Sequence, residues 1–200
     1  MKVLGRGWQY TTYDLRNGRV LKKYNSLLKG WAIIFIDQLR YKGGSIWKVP
    51  GFYKGCKKKA IRSMEIISRG MVDPWMMGNP TLLNALDYEQ DKVIPLHDCI
   101  KTVDTEEGKR LVDRFVSFNK ILLERSVIDK SFNITKNFGL TADKRIILID
   151  LGELYADPLA IKEQIKKRPW TARYVAEVIH NPEVRTYYVE QMDKNFVTEA

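Results

Sequence analysis

Residues equipped for chemistry are few in this chain. A glycine pair, Gly5 and Gly7, lies in "LGRGWQYTTYDLRNGRVLKKY", which also carries Lys22 and Lys23. Glu65 is the single acid between Arg40 and Val72, Asp129 and Asn137 stand in "VIDKSFNITKNFGL", and Asp150 closes the apolar run "IILID" with Gly152 two residues on. A G-x-G followed by a helix would indicate a dinucleotide fold, whereas one followed by a second strand points elsewhere. Other chemistries lack their signatures: there is no G-x-S-x-G, no H-E-x-x-H and no Walker glycine-lysine loop. Cys56 and Cys99 form no disulfide framework or metal spacing, and the two histidines, His97 and His180, read as solvent-facing or structural. What remains within reach is the handling of charged ligands. The net charge of +10 is compatible with a phosphorylated ligand, nucleic acid, an anionic membrane surface or an acidic protein partner.

Each candidate also has a plainer role. The glycines could relieve a twisted hairpin, the lysines could be solvated strand charges, and Glu65 could sit in a surface ion pair within its helix. Asp129 could be an ordinary loop acid and Asp150 a turn residue.

The elements that must position these residues follow from pattern. Trp8 to Tyr13 is aromatic and β-branched with no helical stripe, which predicts a strand. Asn17-Gly18 between two such runs predicts a tight type I′ turn, because both central positions need positive φ. Residues 2 to 24 therefore read as strand, glycine bend, strand, turn, strand. If Val20 faces a cleft so does Lys22, with Tyr24 beyond it, while Lys23 shares its face with Leu21.

Residues 25 to 56 predict a helix or strand and then a loop, broken at Gly43-Gly44 and at the turn Val49-Pro50-Gly51. Lys57 to Ser68 predicts an amphipathic helix with Ala60, Ile61, Met64 and Ile67 on one face. "TLLNALDYE" and "DKVIPLHD" predict two more strands separated by an acidic turn. Thr105, Glu106 and Glu107 open the clearest helix, with the stripe Leu111, Phe115, Phe118, Ile121 and Leu122. "VIDKSFNITKNFGL" reads as loop, "KRIILIDLGEL" as a buried strand ending at Asp150, and residues 158 to 196 as two or three short helices interrupted by Pro169 and Pro182.

Two hundred residues fit one domain, or one domain with two small lobes. The longest apolar run, "WAIIFI", is too short to cross a bilayer, and the first residues lack a signal core. These features predict a soluble, cytoplasmic protein, although an effector exported without a cleaved signal would look the same.

With its parts in this order, the chain resembles a small, divergent member of the protein-kinase-like fold family. The resemblance covers residues 4 to 155 and is carried most specifically by "LGRGWQYTTYDLRNGRVLKK" and "NFGLTADKRIILIDLGEL". It implies an α+β, bilobal protein-kinase-like fold. The N-lobe, residues 1 to 96, would hold a five-stranded antiparallel sheet with one helix, residues 27 to 56 being an insertion. Residues 97 to 200 would form a reduced helical C-lobe, with ATP and magnesium bound between the lobes.

The family's parts map residue by residue. Gly5 and Gly7 would let the backbone close over the phosphates; the third family glycine is Tyr10 here. Lys22, with Lys23 as the alternative, would contact the phosphates and be held by Glu65. Asp150 would bind the magnesium, and Asn137, thirteen residues earlier, would be its second ligand. Asn133 lies too far upstream for that role. The family's catalytic aspartate falls five residues before that asparagine, where this chain has Phe132. Asp129 could take its place if the loop is three residues longer, with Lys130 as a phosphate contact. Backbone groups around Pro95, Leu96 and His97 would face adenine at the hinge.

Two departures matter. There is no His-Arg-Asp triplet, and after Gly152 there is no Ala-Pro-Glu or long activation segment, so a peptide-docking platform is missing or reduced. The resemblance implies an ATP-dependent phosphotransferase acting on a protein or small-molecule hydroxyl. A pseudokinase scaffold is the alternative. A third reading sets the resemblance aside and takes "KGCKKKAIR" and "KEQIKKRPWTARY" as a nucleic-acid surface.

Overall fold

The computed structural model describes residues 1–41, 49–132, 134 and 136–197. Strands dominate the first part: β1 (Lys2–Arg6), β2 (Tyr10–Asp14), β3 (Arg19–Tyr24), β4 (Thr81–Leu82) and β5 (Tyr88–Asp91). They form one antiparallel sheet in the order β1-β2-β3-β5-β4. Directly paired residues share a face, so the pairs Tyr10/Tyr24, Lys22/Tyr88 and Val20/Gln90 put all six on one side. On that side Tyr10, Val20, Tyr88 and Gln90 are buried. Tyr10 stands edge-to-face with both Tyr24 and Tyr88, with ring centroids 5.4 Å apart in each pair. Such pairs contribute about 0.5–1.5 kcal/mol beyond their buried area.

The β2–β3 turn differs from the expected two-residue form. The Leu15 N–H donates to the Arg19 carbonyl at 3.1 Å, which leaves three residues between them. Positive φ falls at Arg16 (62°) and Gly18 (79°) and not at Asn17. Asn17 instead uses its side chain, whose Oδ1 accepts from the Arg19 N–H at 3.1 Å, a local bond that makes asparagine a turn residue.

Two helices follow, α1 (Leu27–Tyr41) and α2 (Val49–Ser68). The turn expected at Val49-Pro50-Gly51 is the first turn of α2, where a proline costs no hydrogen bond because those N–H groups lack intrahelical acceptors anyway. Most of the expected insertion is thus helical; its residues 42–48 lie outside the described residues. The two helices pack closely at Gly30, where a Cβ would lie 2.5 Å from the Tyr53 ring. Starting the helix at Val49 sets its buried stripe at Tyr53, Cys56, Ala60, Ser63 and Met64. Ile61, expected on that stripe, is 40 % exposed.

The expected strand over "TLLNALDYE" is a hairpin, turned by Asn84, whose Oδ1 accepts from the Leu86 and Asp87 N–H groups at 2.9 and 2.8 Å. "DKVIPLHD" keeps only the short β6 (Ile94–Pro95) and passes into α3 (Leu96–Cys99). α4 (Thr105–Glu124) runs where its stripe predicts, and Asp104, one residue earlier than expected, caps it by accepting from the Glu107 N–H at 2.8 Å.

The segment read as loop contains β7 (Ile128–Asp129) and β8 (Phe138–Leu140), followed by β9 (Ile146–Leu148) and β10 (Leu154–Tyr155). β6, β8 and β9 form a three-stranded sheet and β7 pairs with β10. α5 (Pro158–Lys166), α6 (Val175–Val178) and α7 (Pro182–Phe196) complete the chain's helices among the described residues. α7 lies against α4, and the approach requires Gly108, because a Cβ there would meet Val184 at 2.8 Å. The Phe115 ring packs against Phe138 at 4.8 Å and Tyr188 at 6.0 Å, joining α4, β8 and α7. The architecture is α+β, an antiparallel five-stranded sheet followed by a mainly helical part.

Phe115 is fully buried at this junction. Phe115→Ala should therefore cost about 3–5 kcal/mol of stability, read as a lower urea midpoint at unchanged slope.

Candidate functional site

The site is built around one lysine. On β3, Lys22 turns to the packed face between Thr12 of β2 and Tyr88 of β5, while Lys23 is exposed on the other face. Strand alternation thus puts Lys22 on the same face as Val20 and Tyr24. Burial lowers the Lys22 pKa, and the charge of Asp150 opposes that shift. Lys22 feels Asp150 without touching it: its ammonium is in no hydrogen bond or ion pair with any described residue.

Asp150 follows β9 and is anchored from three sides. The Asn137 carbonyl accepts from the Ile149 N–H at 2.8 Å and from the Asp150 N–H at 3.3 Å. The buried amide of Gln90 on β5 donates to the Ile149 carbonyl at 3.2 Å, and the Leu151 N–H donates to the Tyr88 hydroxyl at 3.2 Å. The Asp150 carboxylate accepts from the Gly152 N–H at 3.1 Å, so it also plays the turn role open to any aspartate. Two polar atoms on the same sheet face, the Tyr10 hydroxyl and Gln90 Oε1, are buried without hydrogen-bond partners, and the Asp150 charge acts on Tyr10.

Asn137 and Asp129 are brought together. The Asn137 amide donates to both Asp129 carboxylate oxygens, at 3.1 and 2.9 Å. Asp129 also accepts from the Ser131 N–H at 3.0 Å and from the Ser131 hydroxyl. Asp129 is fully buried, and that burial pushes its pKa up to about 6 against the lowering effect of Ser131 and Asn137, with Asp150 and Glu153 adding repulsion. Asp129 lies on the strand β7, hydrogen-bonded to Asn137, and Phe132 goes into the core. Asn133 lies outside the described residues.

Glu65 is not part of the cluster. It is exposed on α2 and reaches no cation of the site. The correction has a simple cause: Cys56, Ala60 and Ser63 face inward, and Glu65 lies on the opposite side of the helix. α2 contributes a cation in its place. Lys59 pairs with Glu153 at 3.1 Å, and Lys130 pairs with the same carboxylate at 3.1 Å, so Lys130 is held by Glu153. Helical phase with Cys56 and Ser63 could have singled out Lys59 from the lysine run.

The glycine loop is fastened at both ends. The buried Asn25 side chain donates to the Gly7 and Trp8 carbonyls at 2.8 and 3.2 Å and accepts from the Thr11 hydroxyl at 2.7 Å. Gln9 donates to the Cys56 carbonyl of α2 at 3.2 Å and to the Gly152 carbonyl at 3.4 Å. A Cβ at Gly152 would fall 1.9 Å from Gln9 Oε1, so Gln9 requires a glycine there. A Cβ at Gly5 would meet nothing within 4 Å, and one at Gly7 would lie 3.6 Å from the nearest atom. Neither Gln9 nor Asn25 announced itself in the sequence.

Pro95, Leu96 and His97 lie where β6 passes into α3. Pro95 pairs with Gly139 of β8 and the Leu96 side chain is fully buried. His97 is half-buried, its Nδ1 has no hydrogen-bond partner, and burial lowers its pKa. His180 is exposed, with Nε2 3.0 Å from the Glu177 carbonyl. Among the described residues no group of three or more His, Cys, Asp or Glu could hold a metal, and no helix is long and apolar enough to cross a membrane. No protein-family model matches the chain, and no curated protein matches it significantly.

Asp129 titrates at about 6 in the fold against 3.8 for a free aspartate. Between these values the folded state keeps a proton that the unfolded state has lost, so stability falls as pH rises through that window. Asp129→Asn removes the charge and keeps an acceptor oxygen. Its stability relative to wild type should rise from pH 4 to pH 7 by up to roughly 3 kcal/mol. Urea melts at the two pH values measure this, and an unchanged difference would show that Asp129 is not desolvated.

Proposed function

We propose that the chain is an ATP- and magnesium-dependent phosphotransferase of protein-kinase-like fold. In this reading residues 1–96 form an N-lobe and residues 97–200 a reduced C-lobe. One observation carries it: the half-buried Lys22 on the packed sheet face feels the charge of Asp150 while bonding to no described residue, an arrangement that suits an anion and its counter-cation between them. The five-stranded antiparallel sheet that delivers Lys22 supports it as well.

The side chains suit the ligand. Asn137 commits its amide nitrogen to Asp129, which leaves Oδ1 as the atom that would bind metal together with the carboxylate of Asp150. Hard oxygen donors in small number fit magnesium, which takes the rest of its shell from water and phosphate. Magnesium, when bound, would neutralise charge on the phosphates. Lys22 would hold a phosphate oxygen, and Gly5 and Gly7 would bring the backbone over the phosphates in space the fold leaves open. The N–H groups of Leu96 and His97, in the first turn of α3 and without intrahelical acceptors, would be offered to adenine. Asp129, ionised above pH 6, would take the proton of the acceptor hydroxyl of a protein or small molecule.

A second reading has its own support. Asp129 is fully buried with both oxygens held by Asn137, and Glu65 stands away from Lys22. Both favour a pseudokinase that binds nucleotide without transferring phosphate.

Thermal melts with ATP, with and without magnesium, should give magnesium-dependent stabilisation that Lys22→Met and Asp150→Ala abolish. Lys22→Met alone should melt no lower than wild type, since it replaces a desolvated charge with an apolar chain of similar length. Transfer from γ-labelled ATP that Asp129→Asn removes while nucleotide stabilisation persists supports the phosphotransferase. Stabilisation without transfer by the wild type supports the scaffold, and no stabilisation at millimolar ATP contradicts both readings.

A further inference from the structure

The first ten residues of α1, "LLKGWAIIFI", contain one charge, Lys29. Only Gly30 and Ile34 of this stretch are buried. The outer face is formed by Leu27, Leu28, Trp31, Ala32 and Ile36, and the large side chains are exposed: Leu28 by 80 %, Leu27 by 52 %, Ile36 by 48 % and Trp31 by 36 %. A helix that is apolar all round and covered on one side only has a second surface to bury.

The edge of this face has a definite charge. Leu27 shares a surface depression with Lys54, Lys57, Lys58 and Arg62 of α2, and Glu65 is the only acid lining it. None of these four cations is in an ion pair among the described residues. The depression opens on the side of α2 opposite Cys56 and Ser63, so this surface is separate from the Lys22 cluster and owes nothing to the nucleotide reading.

We propose that α1 and the basic side of α2 together bind an anionic membrane surface, with α1 lying in the interface plane. Three observations choose this occupant. The apolar face lies on the outer side of a helix flanked by lysines, with a tryptophan in its middle, which is the pattern of interfacial helices. Residues 27 to 36 extend about 15 Å, half the thickness of a bilayer core, so the segment fits along the surface and not across it. A second copy packed two-fold through the same face would set the four cations against their own images. Anionic headgroups neutralise that rim while the acyl boundary takes Leu28, Trp31 and Ile36.

The test is flotation with vesicles of phosphatidylglycerol and phosphatidylcholine against vesicles of phosphatidylcholine alone. The protein should float with the anionic vesicles, less so at high salt, and not with the neutral ones. The double substitution Leu28→Glu and Trp31→Glu should abolish flotation, and Leu28→Glu alone, at a position 80 % exposed, should weaken it with the melting temperature unchanged. Lys54→Glu, Lys57→Glu and Lys58→Glu together should weaken it by about a hundredfold or more. Failure to float overturns the proposal. So does flotation that survives Leu28→Glu and Trp31→Glu, which would mean that the basic side of α2 holds the vesicles by charge alone and α1 does not enter the interface. A dimer in sedimentation analysis that Leu28→Glu dissolves would assign the face to a second copy and overturn it equally.

Discussion

A half-buried ammonium group is held charged by a nearby carboxylate, and Lys22 on the packed face of the sheet sets this condition for the site. It lies on the packed face of the sheet because strand alternation leaves it no other place between Val20 and Tyr24. Burial presses its pKa down and only Asp150 pushes back. That carboxylate therefore has to stand at a fixed place across from the sheet, and much of the surrounding hydrogen bonding serves to keep it there. The Asn137 carbonyl, the Gln90 amide and the Tyr88 hydroxyl all bond the backbone from Ile149 to Leu151. Two of these three come from the same sheet as Lys22, so one element fixes both members of the charge pair.

A second set of bonds joins the glycine loop to the same place. Gln9 reaches the carbonyls of Cys56 and Gly152, and Asn25 holds the loop's own carbonyls, so the β1–β2 connection, α2 and the segment after Asp150 are tied at one point. α2 adds Lys59, whose partner Glu153 also takes Lys130 from the loop beside Asp129. Rotating α2 would break the Gln9 and Glu153 contacts together. The helix thus acts on the site through a lysine and a backbone carbonyl, and its one acid near this region, Glu65, faces away.

The sequence was most legible where local chemistry and tertiary packing agree. The α4 stripe and the alternation that puts Lys22 and not Lys23 on the face of Val20 could both be read from types and spacing. Local signals failed where a longer element absorbed them. Val49-Pro50-Gly51 has turn residues, yet proline and glycine are tolerated in the first turn of a helix, and α2 begins there. The tertiary contacts of α2 choose the stripe of Cys56, Ala60 and Ser63, and Ile61 and Glu65 fall on the other side of that helix. Asn17-Gly18 was read as a backbone turn, whereas Asn17 bonds through its side chain and Arg16 takes the positive φ. Gln9 and Asn25 were illegible for a different reason: their partners lie 47, 143 and 18 residues away for Cys56, Gly152 and Gly7, and no spacing rule links them.

In the proposed reading the space between Lys22 and Asp150 would receive the phosphates of a nucleotide. An acyl-phosphate derivative of ATP tests it directly, because the reagent acylates the lysine nearest the bound phosphates and mass spectrometry locates the modified residue. The account predicts acylation at Lys22, suppressed by excess ATP with magnesium and absent in Asp150→Ala. Labelling spread over exposed lysines such as Lys23, Lys57 and Lys58, with Lys22 unmodified and no protection by ATP, would contradict it.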